Sequence, residues 1–259
     1  MQRVFLTFAA GNQDYLNAAN RLIGQAKETG WFSTVVTVDH RRLFDIDIHG
    51  GNRNRSFIQQ NPKGYGYWIW KPFVIQLALQ RLPEGTHLLY LDAGCELNPQ
   101  GFERLCLLYD HLTDATLVAF QIDEDAAKWT KADTLKHLGI DPQSPQVHFK
   151  QLSGGNILIK NSIESRRFIG IWQSLCEFDN YSLLDDSPSK IPNHPSFKEH
   201  RHDQAIFSLL AQTFSFVRIV PDEFNHQPYW SKGQYPTDYP IHQLRNRTGT
   251  PRLPQMIPV

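Results

Sequence analysis

The chain has 259 residues, 41% hydrophobic, 12% aromatic and 20% charged, and its 26 Lys and Arg balance 26 Asp and Glu for a formal net charge of zero. That balance argues against a nucleic-acid binder, which needs a basic surplus to displace counterions, and against a polybasic membrane anchor. The composition fits a globular protein of one large or two small domains and excludes disorder for most of the chain.

The apolar opening from Val4 to Ala10 stops at Gly11-Asn12-Gln13-Asp14. That is too short for a signal-peptide core, and no run approaches the roughly 18 to 20 apolar residues of a membrane span. The chain is therefore read as cytoplasmic, peripheral at a membrane at most. Cys95, Cys106 and Cys176 are odd in number and lack CxxC spacing, so reduced thiols are expected and neither a disulfide framework nor a cysteine zinc site.

In chain order, residues 4–9 read as a buried strand. Leu16, Ala19, Leu22, Ile23 and Ala26 recur at helical spacing over residues 14–27, and Gly30 ends that helix. The β-branched run 34–38 is a strand closing on Asp39. Residues 40–67 are rich in Asn, Arg and Gly, a long connection with one short helix. Pro72 opens a helix to about residue 81 with Phe73, Ile75 and Leu77 inward. Strands follow at 87–91, 116–121, 156–160 and 216–220, and helices from Pro99 and over 162–177 and 202–213. This alternation predicts an α/β domain with a mixed, mainly parallel twisted sheet flanked by helices. Residues 1–220 form the expected domain. Seven of the 16 prolines fall in the last 39 residues, so 221–259 is expected as a Pro-rich tail packed on it. Residues 185–200, with three further prolines, read as either a lid or an inert surface loop.

The most informative segment is Leu88-Leu-Tyr-Leu-Asp92-Ala-Gly94-Cys-Glu96. An apolar strand ending in Asp92, with Glu96 four residues on, sets carboxylates at the rim where α/β sheets bind ligands. Such oxygens suit a hard divalent cation bridging a diphosphate, or sugar hydroxyls. Alternatively, Asp92 caps the turn before Gly94.

Asp92-Ala93-Gly94 resembles the Asp-x-Asp element of nucleotide-sugar glycosyltransferases with the GT-A fold. Upstream, Lys63-Gly-Tyr-Gly-Tyr-Trp-Ile-Trp-Lys71-Pro72 resembles a block of a bacterial and viral group in that superfamily. Phe8-Ala-Ala-Gly-Asn12, Trp129-Thr-Lys131 with Asp133, Ser153-Gly-Gly-Asn156 and His202-Asp-Gln204 resemble further blocks in the same order, so the likeness spans residues 4–242. It implies a GT-A-like fold, a donor nucleotide sugar, most plausibly a UDP-sugar, a glycan acceptor and a role in polysaccharide biosynthesis. A divalent cation, Mn²⁺ or Mg²⁺, is implied on Asp92, with Glu96 and His242 completing the set. Gly94 stands where that element has its second acid, which leaves open an enzyme with little or no metal.

The donor's diphosphate calls for cations, and Lys71 at a helix N-terminus is the foremost candidate, ahead of Arg245 and Arg247. Tyr65, Tyr67, Trp68 and Trp70 read mainly as core, with one ring, Trp70 for preference, meeting base or sugar. Small Ala9, Ala10 and Gly11 let a nucleotide approach the backbone, and Asp39 accepts from base or ribose. Gly154, Gly155 and Asn156 shape a sugar pocket, or else form a bulge. Asp203 is a helix cap or, with Gln204 as the resemblance implies, faces the reacting sugar as a base or an electrostatic partner. His200 and His202 have no third ligand for zinc. Two rivals remain: a catalytically silent glycan-binding scaffold, favoured by Gly94, and a nucleotidyltransferase, disfavoured because the turn after strand one has no basic residue.

Overall fold

The computed structural model of the protein describes residues 1–38, 43, 51–225 and 237–253. Eight strands follow one another along the described chain: β1 (Arg3–Thr7), β2 (Thr34–Thr37), β3 (His87–Leu91), β4 (Cys95–Leu97), β5 (Leu117–Asp125), β6 (Lys150–Lys160), β7 (Val217–Pro221) and β8 (Ile241–Gln243). Six of them make a sheet in the order β2-β1-β3-β6-β5-β7. In it β6 runs antiparallel to both neighbours and every other adjacent pair is parallel. This is the mixed, mainly parallel sheet expected from the sequence.

Helices cover both faces, which is why β1 and β3 read as unbroken apolar runs. The pleat sorts their side chains. Val4, Leu6, Leu88, Tyr90, Ile157 and Ile159 join one core with Phe168, Trp172, Ile206 and Phe207, whereas Phe5, Leu89, Leu91 and Leu158 join the other with Leu22 and Leu105. Each such fully buried aliphatic or Phe side chain contributes about 1.5–3 kcal/mol relative to exposure.

Helix Gln13–Glu28 starts where Asn12 Oδ1 accepts from Tyr15 N, and helix Ile163–Cys176 starts on a reciprocal Ser162/Ser165 capping box. Both satisfy backbone donors that a helix start leaves open. Helix Trp70–Arg81 begins two residues before Pro72 and is buried almost all round. The one-sided pattern expected there fails because the helix packs against Ile163–Cys176 as well as into the core.

Two features lie beyond the sequence reading. Strand β6 starts at Lys150, not Asn156, because Gly154 and Gly155 continue the strand. Strands β4 and β8, three residues each, pair antiparallel as a separate ribbon, too short to leave a periodic signal. Arg21 fastens that ribbon: its guanidinium donates to the carbonyls of Ala93, Cys95, Asn246 and Thr248 at 2.7–3.1 Å. Residues 237–253 are thereby held against the loop that follows β3.

Candidate functional site

Strand β3 delivers Asp92 to the carboxyl edge of the sheet, and its neighbours hold it there. Tyr90 Oη donates to Asp92 Oδ1 at 2.7 Å, and Asp92 N donates to Gly155 O at 2.8 Å. Burial, reinforced by Asp92, keeps the Tyr90 phenol well above its ordinary pKa, so it stays a neutral donor. From the opposite side come Lys71, in the first turn of Trp70–Arg81, and Asp203, in the first turn of helix His202–Ala211.

Lys71 Nζ lies 3.0 Å from Asp203 Oδ2, 3.4 Å from Asp92 Oδ1 and 2.8 Å from Gly154 O. The ammonium donates to the Gly154 carbonyl and holds the two carboxylates at ion-pair distance. Its side chain is 3% exposed, that of Asp203 4% and that of Asp92 41%. Burial pushes the Lys71 pKa down, but Asp203 and then Asp92 more than offset this and hold it above the usual lysine value. For Asp203, burial outweighs Lys71 and lifts the carboxyl to about 6. In this structure Lys71, in the cleft lining, bridges two carboxylates, a pairing that the sequence does not announce.

Gly155 is a glycine for a steric reason. A Cβ there would sit 2.7 Å from Asp92 Oδ2. Gly155→Ala is expected to displace the Asp92 carboxylate and lower any activity or nucleotide affinity at least tenfold, while stability falls by only about 1–3 kcal/mol, as for other overpacked positions. Denaturant unfolding and ligand titration on the same sample measure the two effects.

The aromatic block adopts an unusual backbone. Five consecutive residues, Gly64 to Trp68, have positive φ between 52° and 79°. A left-handed conformation costs roughly 1–2 kcal/mol at each non-glycine residue, and such strain concentrates at functional sites. Gly64 and Gly66 are obligatory, since a Cβ would lie 2.4 Å from the Trp68 ring in one case and from Ile58 in the other. The turn is held by Trp70 Nε1 donating to Gly64 O and by the Tyr67 and Trp68 rings against His202, with centroids 4.8 and 5.5 Å away.

These pieces enclose a cleft of about 1050 Å³. Among the residues singled out in the sequence, Ala9, Ala10, Gly11, Trp70, Lys71, Asp92, Gly154, Gly155, Asp203 and Gln204 all line it. Gln204 also braces the strand, accepting from Gly154 N and donating to Gln151. Three residues stand apart. Asn156 is buried beneath, with its Oδ1 facing the Cys95 thiol. Glu96 and His242 oppose each other across β4 and β8, both fully buried and outside the lining. Asp39 lies outside the described residues.

Glu96 instead anchors the chain: it accepts from Asn246 Nδ2, Arg252 N and Leu253 N. Asp92, Glu96 and His242 therefore do not converge as a ligand set, and among the described residues no group of three or more His, Cys, Asp or Glu is placed to hold a metal ion. A Cβ on Gly94 would come within 3.1 Å of Arg245 Cα, so a second acid there would crowd the Arg245–Asn246 backbone. His200 has both ring nitrogens engaged, with Lys131 N and Leu183 O, as a neutral imidazole. Residues 185–193 are tied down by Lys131, Asp133 and Ala132 N. Tyr15, Arg55 and Gln243 also line the cleft; Tyr15 lies in the periodic helix but off its apolar positions, and Arg55 and Gln243 belong to no motif-bearing run.

The site thus defines an α/β protein with a carboxylate–ammonium–carboxylate bridge on the floor of an open cleft at the sheet edge. No protein-family model matches the chain, and no curated protein matches it. Similar solved structures include a glycosyltransferase involved in the glycosylation of the major capsid of PBCV-1, at 11% identity and TM-score 0.49 over 97% of this chain and 95% of that one. Mouse xyloside xylosyltransferase 1 in its apo form is similar at 12% identity and TM-score 0.46, over 96% and 99%. The galactosyltransferase LgtC in complex with donor and acceptor sugar analogs is similar at 17% identity and TM-score 0.43, over 100% and 85%. No helix among the described residues is long and apolar enough to cross a membrane.

Proposed function

We propose that the chain is a glycosyltransferase that moves a sugar from a nucleoside diphosphate donor, a UDP-sugar, to a hydroxyl of a glycan acceptor in polysaccharide assembly. The observation that carries this reading is the bridge itself: Asp92, half-exposed, and Asp203, buried, joined by one ammonium on the floor of the cleft. Around it stand the small residues 9–11, which leave room for a flat base, and the rings of Tyr65, Trp68 and Trp70, whose faces suit a sugar. Asp92 orients the donor. Asp203, a stronger base than an ordinary aspartate at a pKa near 6, takes the proton of the acceptor hydroxyl. Gly154, Gly155 and Gln204 shape the sugar subsite.

The test is release of UDP from a panel of UDP-sugars, with and without glycan acceptors. Asp92→Ala is expected to lose at least 99% of that release while keeping the folded structure by circular dichroism; full activity in this variant would remove the assignment. A silent glycan-binding scaffold is the second reading, because Gly94 stands where a second acid is expected and a side chain there would crowd Arg245. Such a scaffold binds oligosaccharide but gives no heat with UDP in a calorimetric titration.

A further inference from the structure

We infer that the donor diphosphate is neutralised here by the protein's own cations, Arg245 foremost, and that transfer proceeds without a divalent metal; this rests on the transferase reading above. The carboxylate supply is poor. Asp203 is paired with Lys71, Glu199 at the rim is paired with Arg201, Glu96 is committed to the 246–253 backbone, and Asp92 shares its carboxylate with Tyr90 and Lys71. A hard divalent ion at a diphosphate takes one or two carboxylates besides the phosphate and water oxygens, and the Asp92 carboxylate is already engaged by Tyr90 and Lys71.

The cation supply is ample. Although the whole chain is electrically neutral, the described lining holds Arg55, Lys63, Lys71, Arg201, Arg245 and Arg247 against only Asp92, Glu199 and Asp203. Among these, the Arg245 guanidinium makes no ion pair or hydrogen bond with any described residue, and Arg247 lies over the Tyr15 ring at 5.2 Å. Both are presented from a fixed backbone. Asn246 between them is fully buried, its side chain donating to Glu96 at 2.6 Å and its carbonyl accepting from Arg21. Asn246 N donates to Gly94 O at 3.0 Å, which sets Arg245, with φ of 49°, directly beside the loop that carries Asp92. Gly94 is what permits this approach, since any side chain there would meet Arg245. The absence of the second acid and the presence of the arginine are thus one arrangement.

In the transfer step the bond from the anomeric carbon to the diphosphate oxygen breaks and its electron pair stays on the diphosphate. The acceptor oxygen bonds to that carbon, and its proton passes to Asp203. The leaving group gains one negative charge, which a planar guanidinium stabilises with two parallel N–H donors.

The experiment is calorimetric titration of the full chain with UDP and with uridine, in EDTA and then in Mn²⁺, alongside turnover in both buffers. Affinity and turnover within about twofold between buffers are expected. Arg245→Gln should weaken UDP about ten- to a hundredfold, the range for loss of a charge-assisted contact, and leave uridine binding unchanged, which shows the pocket intact. UDP binding or turnover that vanishes in EDTA and returns with Mn²⁺ overturns the inference and leaves the transferase standing, as does an Arg245→Gln variant with wild-type UDP affinity in EDTA. A chain that binds UDP in neither buffer loses both readings.

Discussion

Lys71→Ala is expected to lower the stability of the fold by about 3–5 kcal/mol, the range for stripping one partner from a buried ion pair. The ammonium is 3% exposed and lies within 3.4 Å of both carboxylates. Its removal leaves Asp203 buried as an unpaired anion beside Asp92. Were the three groups an ordinary surface cluster, the loss would stay below about 1 kcal/mol. Urea unfolding separates these outcomes. Acidification offers a second readout, because Asp203 without Lys71 should protonate above its present value near 6. The variant should therefore recover part of its deficit relative to wild type between about pH 7 and pH 5. Lys71→Met, which keeps the volume, should fail in the same way and so exclude a packing explanation.

Asp203 carries the second large effect. If it accepts the acceptor's proton, turnover should climb with pH through about 6, the value to which burial lifts this carboxyl. Asp203→Asn should abolish that step and reduce turnover by about 10²–10⁴-fold, the usual contribution of a positioned base. Stability should run the other way. The folded pKa of about 6 exceeds the ordinary 3.8, so between these values the native state keeps a proton that the unfolded chain has lost. The Asp203 contribution is most favourable below pH 3.8 and declines by about 3 kcal/mol as pH rises through 6. Subtracting the Asp203→Asn stability curve from the wild-type curve isolates this change; a flat difference contradicts it.

Much of the scaffold was legible in the residues. The strand ending at Asp92, helix Gln13–Glu28 and helix Ile163–Cys176 announce themselves because apolar spacing records which face is covered. The cleft members near 9–11, 154–155 and 203–204 were also legible, since small residues and acids at strand and helix ends are local signals. What was not legible is how they meet. Lys71 looks like a free cation until the fold brings Gly154 O, Asp92 and Asp203 around it. Glu96 looks like a ligand until residues 246–253 close over its oxygens. Tyr65 to Trp70 mimic the alternation of a strand, and only Gly64 and Gly66 hint that the backbone turns left-handed there.

The ribbon of β4 and β8 gives the molecule a timetable. Because Arg245 and Arg247 follow β8, the last strand among the described residues, a ribosome exposes the part of the cleft at residues 8–12 well before these two arginines. A nascent chain can therefore stack its sheet while still lacking the stretch that brings these two arginines to the cleft.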